Sequence, residues 1–239
     1  MKISNATVLV SGANRGIGAA IVRELLNKGV AKVYAGARNP ASLPDFGDDR
    51  VVPVKLDITD EAAIQALAAV HADIDILINN AGTAQFGTVL TTSNEAFGYD
   101  FTTNVFGTLN VLRAFTPQLV AKKSGAIVNV ISVVGLVAAH SLAGYSASKA
   151  ALLSITQSVR EELKDSGVDV LGVFPGPIDT DMARDIPLSK ATPESAAALI
   201  VAGIEAGDLY IYPDPTAQAI GATWATNAAG LEKVFNAAH

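Results

Sequence analysis

Short apolar runs alternate along the chain with segments whose apolar residues recur every three to four positions. Thr7-Val-Leu-Val-Ser11 predicts a first strand. From Gly16 to Lys28, the residues Ile17, Ile21, Leu25 and Leu26 fall near one face of a helix that Gly29 stops. Lys32 to Gly36 and Val51 to Leu56 predict the second and third strands, and Thr59 is placed to cap a helix from Asp60 to about Val70. Asp75 to Asn79 predicts a fourth strand. A long helix follows from about Asn94 to Lys122, bent or divided at Pro117. The pattern continues with a strand at Ala126 to Ser132, a helix at Leu142 to Ser166, a strand at Val168 to Phe174, a helix at Pro193 to Glu205 and a seventh strand at Leu209 to Tyr212. Continuous apolar strands alternating with helices imply a parallel sheet covered on both faces, with right-handed crossovers. No repeat or linker interrupts the pattern, so residues 1–239 are expected to form one domain. The Pro/Gly-rich stretch of about 176–192 reads as a mobile loop over a site, and about 214–239 as a helical end.

Composition narrows the classes. The chain is half apolar and 17% charged, as a globular protein is, with a net charge of −6 and no lysine/arginine run. Nucleic acid and anionic membrane surfaces are therefore not expected partners. There is no cysteine, so disulfides, thiolate metal sites and cysteine nucleophiles are excluded. His71, His140 and His239 are too scattered to predict a metal site. No secretory signal is apparent, and Asn5-Ala6-Thr7 is read as a chance sequon. Ser124 to Ser148 is uncharged and long enough to span a bilayer, but its polar residues and glycines fit a strand, a loop and a helix start better. A cytoplasmic location is expected.

The first strand joins the first helix through Ser11-Gly-Ala-Asn-Arg-Gly-Ile-Gly18. Glycines at 12, 16 and 18 let bare backbone approach a pyrophosphate, while the helix start offers unpaired N–H groups and its positive dipole end. The second strand ends in Ala35-Gly-Ala-Arg-Asn39, with Arg38 where an NAD site would carry an acid to hold the ribose 2′-hydroxyl. Arg15 can reach the same place, and the guanidinium fork suits phosphate oxygens. NADP(H) is therefore the expected cofactor.

Tyr145 and Lys149 lie four apart near a helix start and share a face. A tyrosine hydroxyl titrates near ~10 and relays protons poorly at neutral pH, unless a nearby ammonium stabilises its phenolate. Ser132, at the end of the fifth strand, can bond a substrate oxygen, and Asn104 can hold a water beside Lys149. Taken singly these are a helix tyrosine, a surface lysine, a strand end and a core amide; taken together with the glycine turn they read as a reductase site.

With these residues in place, the chain resembles the classical short-chain dehydrogenase/reductase family over nearly its whole length. The resemblance implies a doubly wound sheet of strand order 3-2-1-4-5-6-7. It implies a catalytic set of Asn104, Ser132, Tyr145 and Lys149. It also implies cofactor contacts from Gly12, Asn14, Arg15, Gly16, Ile17 and Gly18 in the turn, and from Arg38, Asp57 and Ile58. Further contacts would come from Asn80, Ala81 and Gly82 of the Asn-Asn-Ala-Gly segment, from Tyr145 and Lys149, and from Pro175, Gly176, Ile178 and Thr180 along the nicotinamide. A substrate pocket is expected from Ser132, Val134, His140, Leu142, Tyr145 and Met182. Val133, Leu136 and the loop from Ile178 to Leu188 would complete an apolar wall suited to a hydrophobic carbonyl or alcohol. The family's usual closing Asp-Gly-Gly is absent. A homodimer through the Asn94 and Leu142 helices is expected, with a homotetramer as the alternative. Three rival activities stay open: oxidation of an alcohol or hydroxysteroid on the same fold, a non-catalytic dinucleotide sensor, and a dehydratase or epimerase.

Overall fold

A computed structural model describes residues 2–237; Met1, Ala238 and His239 lie outside the described residues, as does the end of the expected 214–239 helical segment. Seven strands form one sheet in the order β3-β2-β1-β4-β5-β6-β7. They are β1 (Thr7–Ser11), β2 (Lys32–Ala37), β3 (Val51–Lys55), β4 (Ile76–Asn79), β5 (Gly125–Val130), β6 (Val168–Val173) and β7 (Tyr210–Ile211). Every pairing is parallel. The helices are α1 (Gly16–Asn27), α2 (Glu61–Val70), α3 (Asn94–Asp100), α4 (Thr108–Lys122), α5 (Ala143–Glu162), α6 (Pro193–Ala206) and α7 (Pro215–Ala237).

Alternation along β1 divides the core. Val8 and Val10 pack with Ile21, Val22 and Leu25 of α1 and with Ile200 and Ile204 of α6. Leu9 points the other way, among Ile64 of α2 and Val111, Phe115 and Leu119 of α4. Both faces of the central strands are thus dry, which is why their sequences are unbroken apolar runs. Strand order reverses between β1 and β4, and the Ser11 hydroxyl ties this seam by accepting from the Asn80 and Ala81 amides at 3.0 and 3.1 Å. A cleft opens there, as at any such switch in a doubly wound sheet.

Two local expectations are corrected. Thr59 does not cap α2: Asp60 does, accepting from the Ala63 amide, while Thr59 donates its hydroxyl to Asp57. Pro117 does not divide the long helix; it lies inside α4, which continues to Lys122. The irregularity falls earlier, where Phe101–Gly107 widens into π-helical turns. Gly107 is pressed against Ile58 there, so closely that a β-carbon would come within 2.8 Å of its Cγ1. Wide turns of this kind recur at functional sites, and this one carries Asn104.

Candidate active site

The carboxyl ends of the strands and the loops beyond them enclose a cleft of about 1320 Å³. Every residue of the expected cofactor set lines it, as do Ser132, Val134, His140, Leu142, Tyr145 and Met182 of the expected substrate pocket. Asn104 is the exception among the sequence-predicted site residues, being fully buried behind the wall. Leu136, expected in the substrate wall, instead packs into the cluster around Leu153 and Leu231.

The glycine turn fits a dinucleotide. Gly12 has φ +66°, and a β-carbon on it would lie 2.9 Å from Ala81 Cα. On Gly18 a β-carbon would fall 2.2 Å from the Gly12 carbonyl oxygen. The glycines therefore let the turn fold onto itself and onto the β4 end, as well as baring its backbone. The start of α1 has no side-chain cap and no acidic residue in its first turn. Its free N–H groups open on the cleft beside Gly16, Ile17 and Gly18, as an anion-binding helix start requires. Arg38 is exposed at the β2 end, and its charge helps lower the pKa of Asp57, whose carboxylate chiefly accepts from the Thr59 amide. Arg15 is paired with Asp181 at 3.0 Å across the mouth of the cleft.

At the other end Ser132, Tyr145 and Lys149 converge. Ser132 accepts from the Val134 amide at 3.3 Å and lies against the tyrosine hydroxyl. Lys149 Nζ donates to the Val130 carbonyl at 2.9 Å and lies 5.5 Å from the centre of the Tyr145 ring. The expected lowering of the phenol by this ammonium is not realised. Burial pushes Tyr145 up to about 12, Asp100 adds to the rise and the Ser132 bond opposes it. The same burial pushes Lys149 down to about 8, opposed by the Asp100 charge. Desolvation outweighs pairing at both groups.

Asn104 is committed elsewhere. Its Oδ1 accepts from the Thr83 amide at 2.8 Å, and its Nδ2 donates to the Thr83 carbonyl and to Ser148 Oγ, both at 2.9 Å. Both amide hydrogens are thus spent on bracing the Gly82–Thr83 segment against α5.

The geometry is that of a long cleft with the glycine turn at one end and Ser132, Tyr145 and Lys149 at the other, and the comparisons give it a family. The short chain dehydrogenase family model matches residues 6–191. The chain belongs to this family. It is therefore an oxidoreductase that binds a nicotinamide dinucleotide and acts on small molecules. It is 32% identical to the Salmonella typhimurium oxidoreductase UcpA, over 90% of this chain and 84% of that one. A short chain dehydrogenase from Burkholderia cenocepacia, solved in complex with NADP, superposes with a TM-score of 0.92 at 41% identity, covering 98% of both chains. A Burkholderia phymatum short chain dehydrogenase/reductase, solved with NAD, shares the fold at a TM-score of 0.87 and 23% identity, with 97% of this chain and 96% of that one covered.

Sequence reasoning missed two parts of this dehydrogenase site. One is α7, whose Ile220, Leu231, Val234 and Phe235 line the cleft. Leu231, Val234 and Phe235, spaced by three and four, were a readable signal, but no expected wall lay there to receive it. The other is Asp100, fully buried below Lys149 and four residues before Asn104 on one helical path. Among the described residues no cluster could hold a metal ion, and no helix is long and apolar enough to cross a membrane.

Proposed function

We propose that this chain reduces an uncharged, apolar ketone or aldehyde with NADPH, working as a cytoplasmic homodimer. The observation that carries the reading is the Tyr145 phenol, held beside Ser132 and Lys149 at one end of a cleft whose other end is the glycine turn. When bound, the cofactor would supply hydride to the carbonyl carbon. Ser132 would donate a hydrogen bond to the carbonyl oxygen, and Tyr145 would hand that oxygen its proton. Lys149, fixed on the Val130 carbonyl, would stabilise the phenolate that remains. Burial pushes the phenol up to about 12, so it holds its proton at neutral pH and would enter ketone reduction as the acid.

The arginines support NADPH: Arg15 and Arg38 line the cofactor end of the cleft, and the NADP-bound Burkholderia cenocepacia structure is the like case. An apolar substrate follows from the other end. Phe86, Met182, Leu188 and Val234 are exposed large hydrophobic residues, and all four line the cleft. The lining cations are Arg15, Arg38 and Lys149, and none is free to hold a substrate anion at that end. Dimerisation would use the outer faces of the helices carrying Asn104 and Tyr145, where Phe106 is exposed.

A panel of neutral and anionic ketones, offered with NADPH and with NADH and followed at the nicotinamide absorbance, tests the reading. Turnover confined to apolar ketones with NADPH supports it. Tight cofactor binding with no turnover across the panel would instead make the chain a dinucleotide sensor.

A further inference from the structure

Asp100 ends α3 with no exposed surface. A carboxylate is among the groups least often found there without a partner. Its Oδ1 accepts from the Thr83 hydroxyl at 3.0 Å and its Oδ2 from the Gln85 amide at 3.1 Å. Neither partner is charged. Thr83 in turn brackets Asn104, giving its amide to Oδ1 and taking Nδ2 on its carbonyl. On the other side, Asp100 faces the first turn of α5, where a β-carbon on Gly144 would lie 3.4 Å from Oδ2. The next residue is Tyr145. A β-carbon on Gly82 would lie 3.0 Å from Asn104 Oδ1 and 3.6 Å from Lys149 Nζ, so Lys149 and the Asn104–Thr83 bracket meet around that glycine.

We propose that Asp100 is a positioning residue of the proton relay, a buried anion that braces Thr83 and Asn104 and supplies the negative charge facing Lys149. This rests on the relay assigned above to Tyr145 and Lys149. The titratable groups that face Asp100 are those two on α5; the 81–85 segment and the π-helical turns present only uncharged Thr83, Gln85 and Asn104 to it. Among the described residues, Asp100 is the charge that raises Lys149 against the downward pull of burial, and it raises Tyr145 too. Burial raises the Asp100 carboxyl above its usual value, and the Gln85 and Thr83 hydrogen bonds and the Lys149 charge oppose that rise. Burial disfavours the ammonium form of Lys149, and Asp100 holds it against that pressure.

Asp100→Asn tests this with little change of shape. The amide can still accept from the Gln85 N–H, and it can donate to the Thr83 hydroxyl oxygen. Removing the anion lowers the pKa of both neighbours. The alkaline limb of kcat for ketone reduction should therefore move to lower pH by about half a unit or more. Thr83→Val keeps the charge and breaks one of its bonds, and should leave that limb in place. A reading independent of turnover is the NMR titration of ε-carbon-labelled lysine, with the Lys149 resonance assigned by its loss in Lys149→Arg. In Asp100→Asn its midpoint should fall below the parent value of about 8. An unmoved Lys149 midpoint, or a rate loss with the same pH profile as Thr83→Val, would overturn the proposal. If no ketone is reduced, the lysine titration still decides it.

Discussion

The carboxylate of Asp214 accepts a hydrogen bond from the Gly176 amide at 2.7 Å. Its other oxygen accepts from the Ala217 amide at 2.9 Å and so caps α7. One buried side chain thereby joins the segment expected to flank the nicotinamide to the helix that walls the substrate end. Asp214→Ala removes the cap and leaves the Gly176 amide without this partner. The expected loss is about 1–3 kcal/mol, or a few degrees of Tm per kcal/mol in a chain of this size. Affinity for NADPH should weaken with it. Thermal melts with and without NADPH check both, and an unchanged melt would show that the bond is dispensable.

Tyr145→Phe keeps the ring that packs in the Ile131–Phe174 cluster and deletes the hydroxyl beside Ser132. Ketone reduction should fall by about 10²-fold or more, the share usually carried by a placed general acid. NADPH binding, followed by nicotinamide fluorescence, should stay within about threefold, well under 1 kcal/mol. Near-parent rates would assign the proton to another donor.

Arg38 stands at the β2 end, where an acid would meet a ribose 2′-hydroxyl and a cation meets a 2′-phosphate. Arg38→Asp should turn the kcat/KM ratio of NADPH to NADH toward NADH by about tenfold or more, equivalent to about 1.4 kcal/mol. Arg15→Ala should shift it less, because Arg15 is already paired with Asp181. A ratio untouched in Arg38→Asp would mean that the phosphate is held elsewhere.

The fold was legible because its signals are local. Short apolar runs such as Ile76-Leu-Ile78, bounded by polar residues and set between helical patterns, read as strands buried on both faces, and the observed strand order follows the family resemblance. The cleft was legible for a related reason: Gly12 and Gly18 owe their places to backbone geometry that one turn imposes, and Arg38 to its place at the end of the second strand. What stayed hidden depends on distant packing. Nothing near Pro117 says that the helix tolerates it, or that the irregular turns belong at Phe101–Gly107, where Ile58 presses on Gly107. Asp100 drew no reading because its burial is decided by Thr83, Gln85 and Gly144, all remote in sequence. The pull on Tyr145 was misjudged for the same reason. Spacing reveals that a lysine is near, but not how much water the fold removes from both groups.

Lys149 carries a stability consequence with a definite sign. Its folded pKa is lowered from 10.5 to about 8, chiefly by burial. Between those values the unfolded chain holds a proton that the folded chain has released, so stability rises with pH across roughly pH 8 to 10.5. Below pH 8 both states are protonated, and the buried ammonium costs about 3 kcal/mol relative to the alkaline side of the window. Tyr145 acts oppositely: with its folded value raised from 10.0 to about 12, it withdraws stability above pH 10. The site should therefore add a rising slope from pH 8 that flattens near pH 10. Lys149→Met keeps a long flexible side chain, loses the Val130 bond and has no proton to release. Urea unfolding of parent and variant at half-unit intervals from pH 7 to 11 isolates this contribution as their difference. The variant should gain most on the parent near pH 7 and lose that advantage by pH 10. A difference that stays flat over the window would mean that Lys149 titrates in the folded protein as it does in water, and that the cleft does not desolvate it.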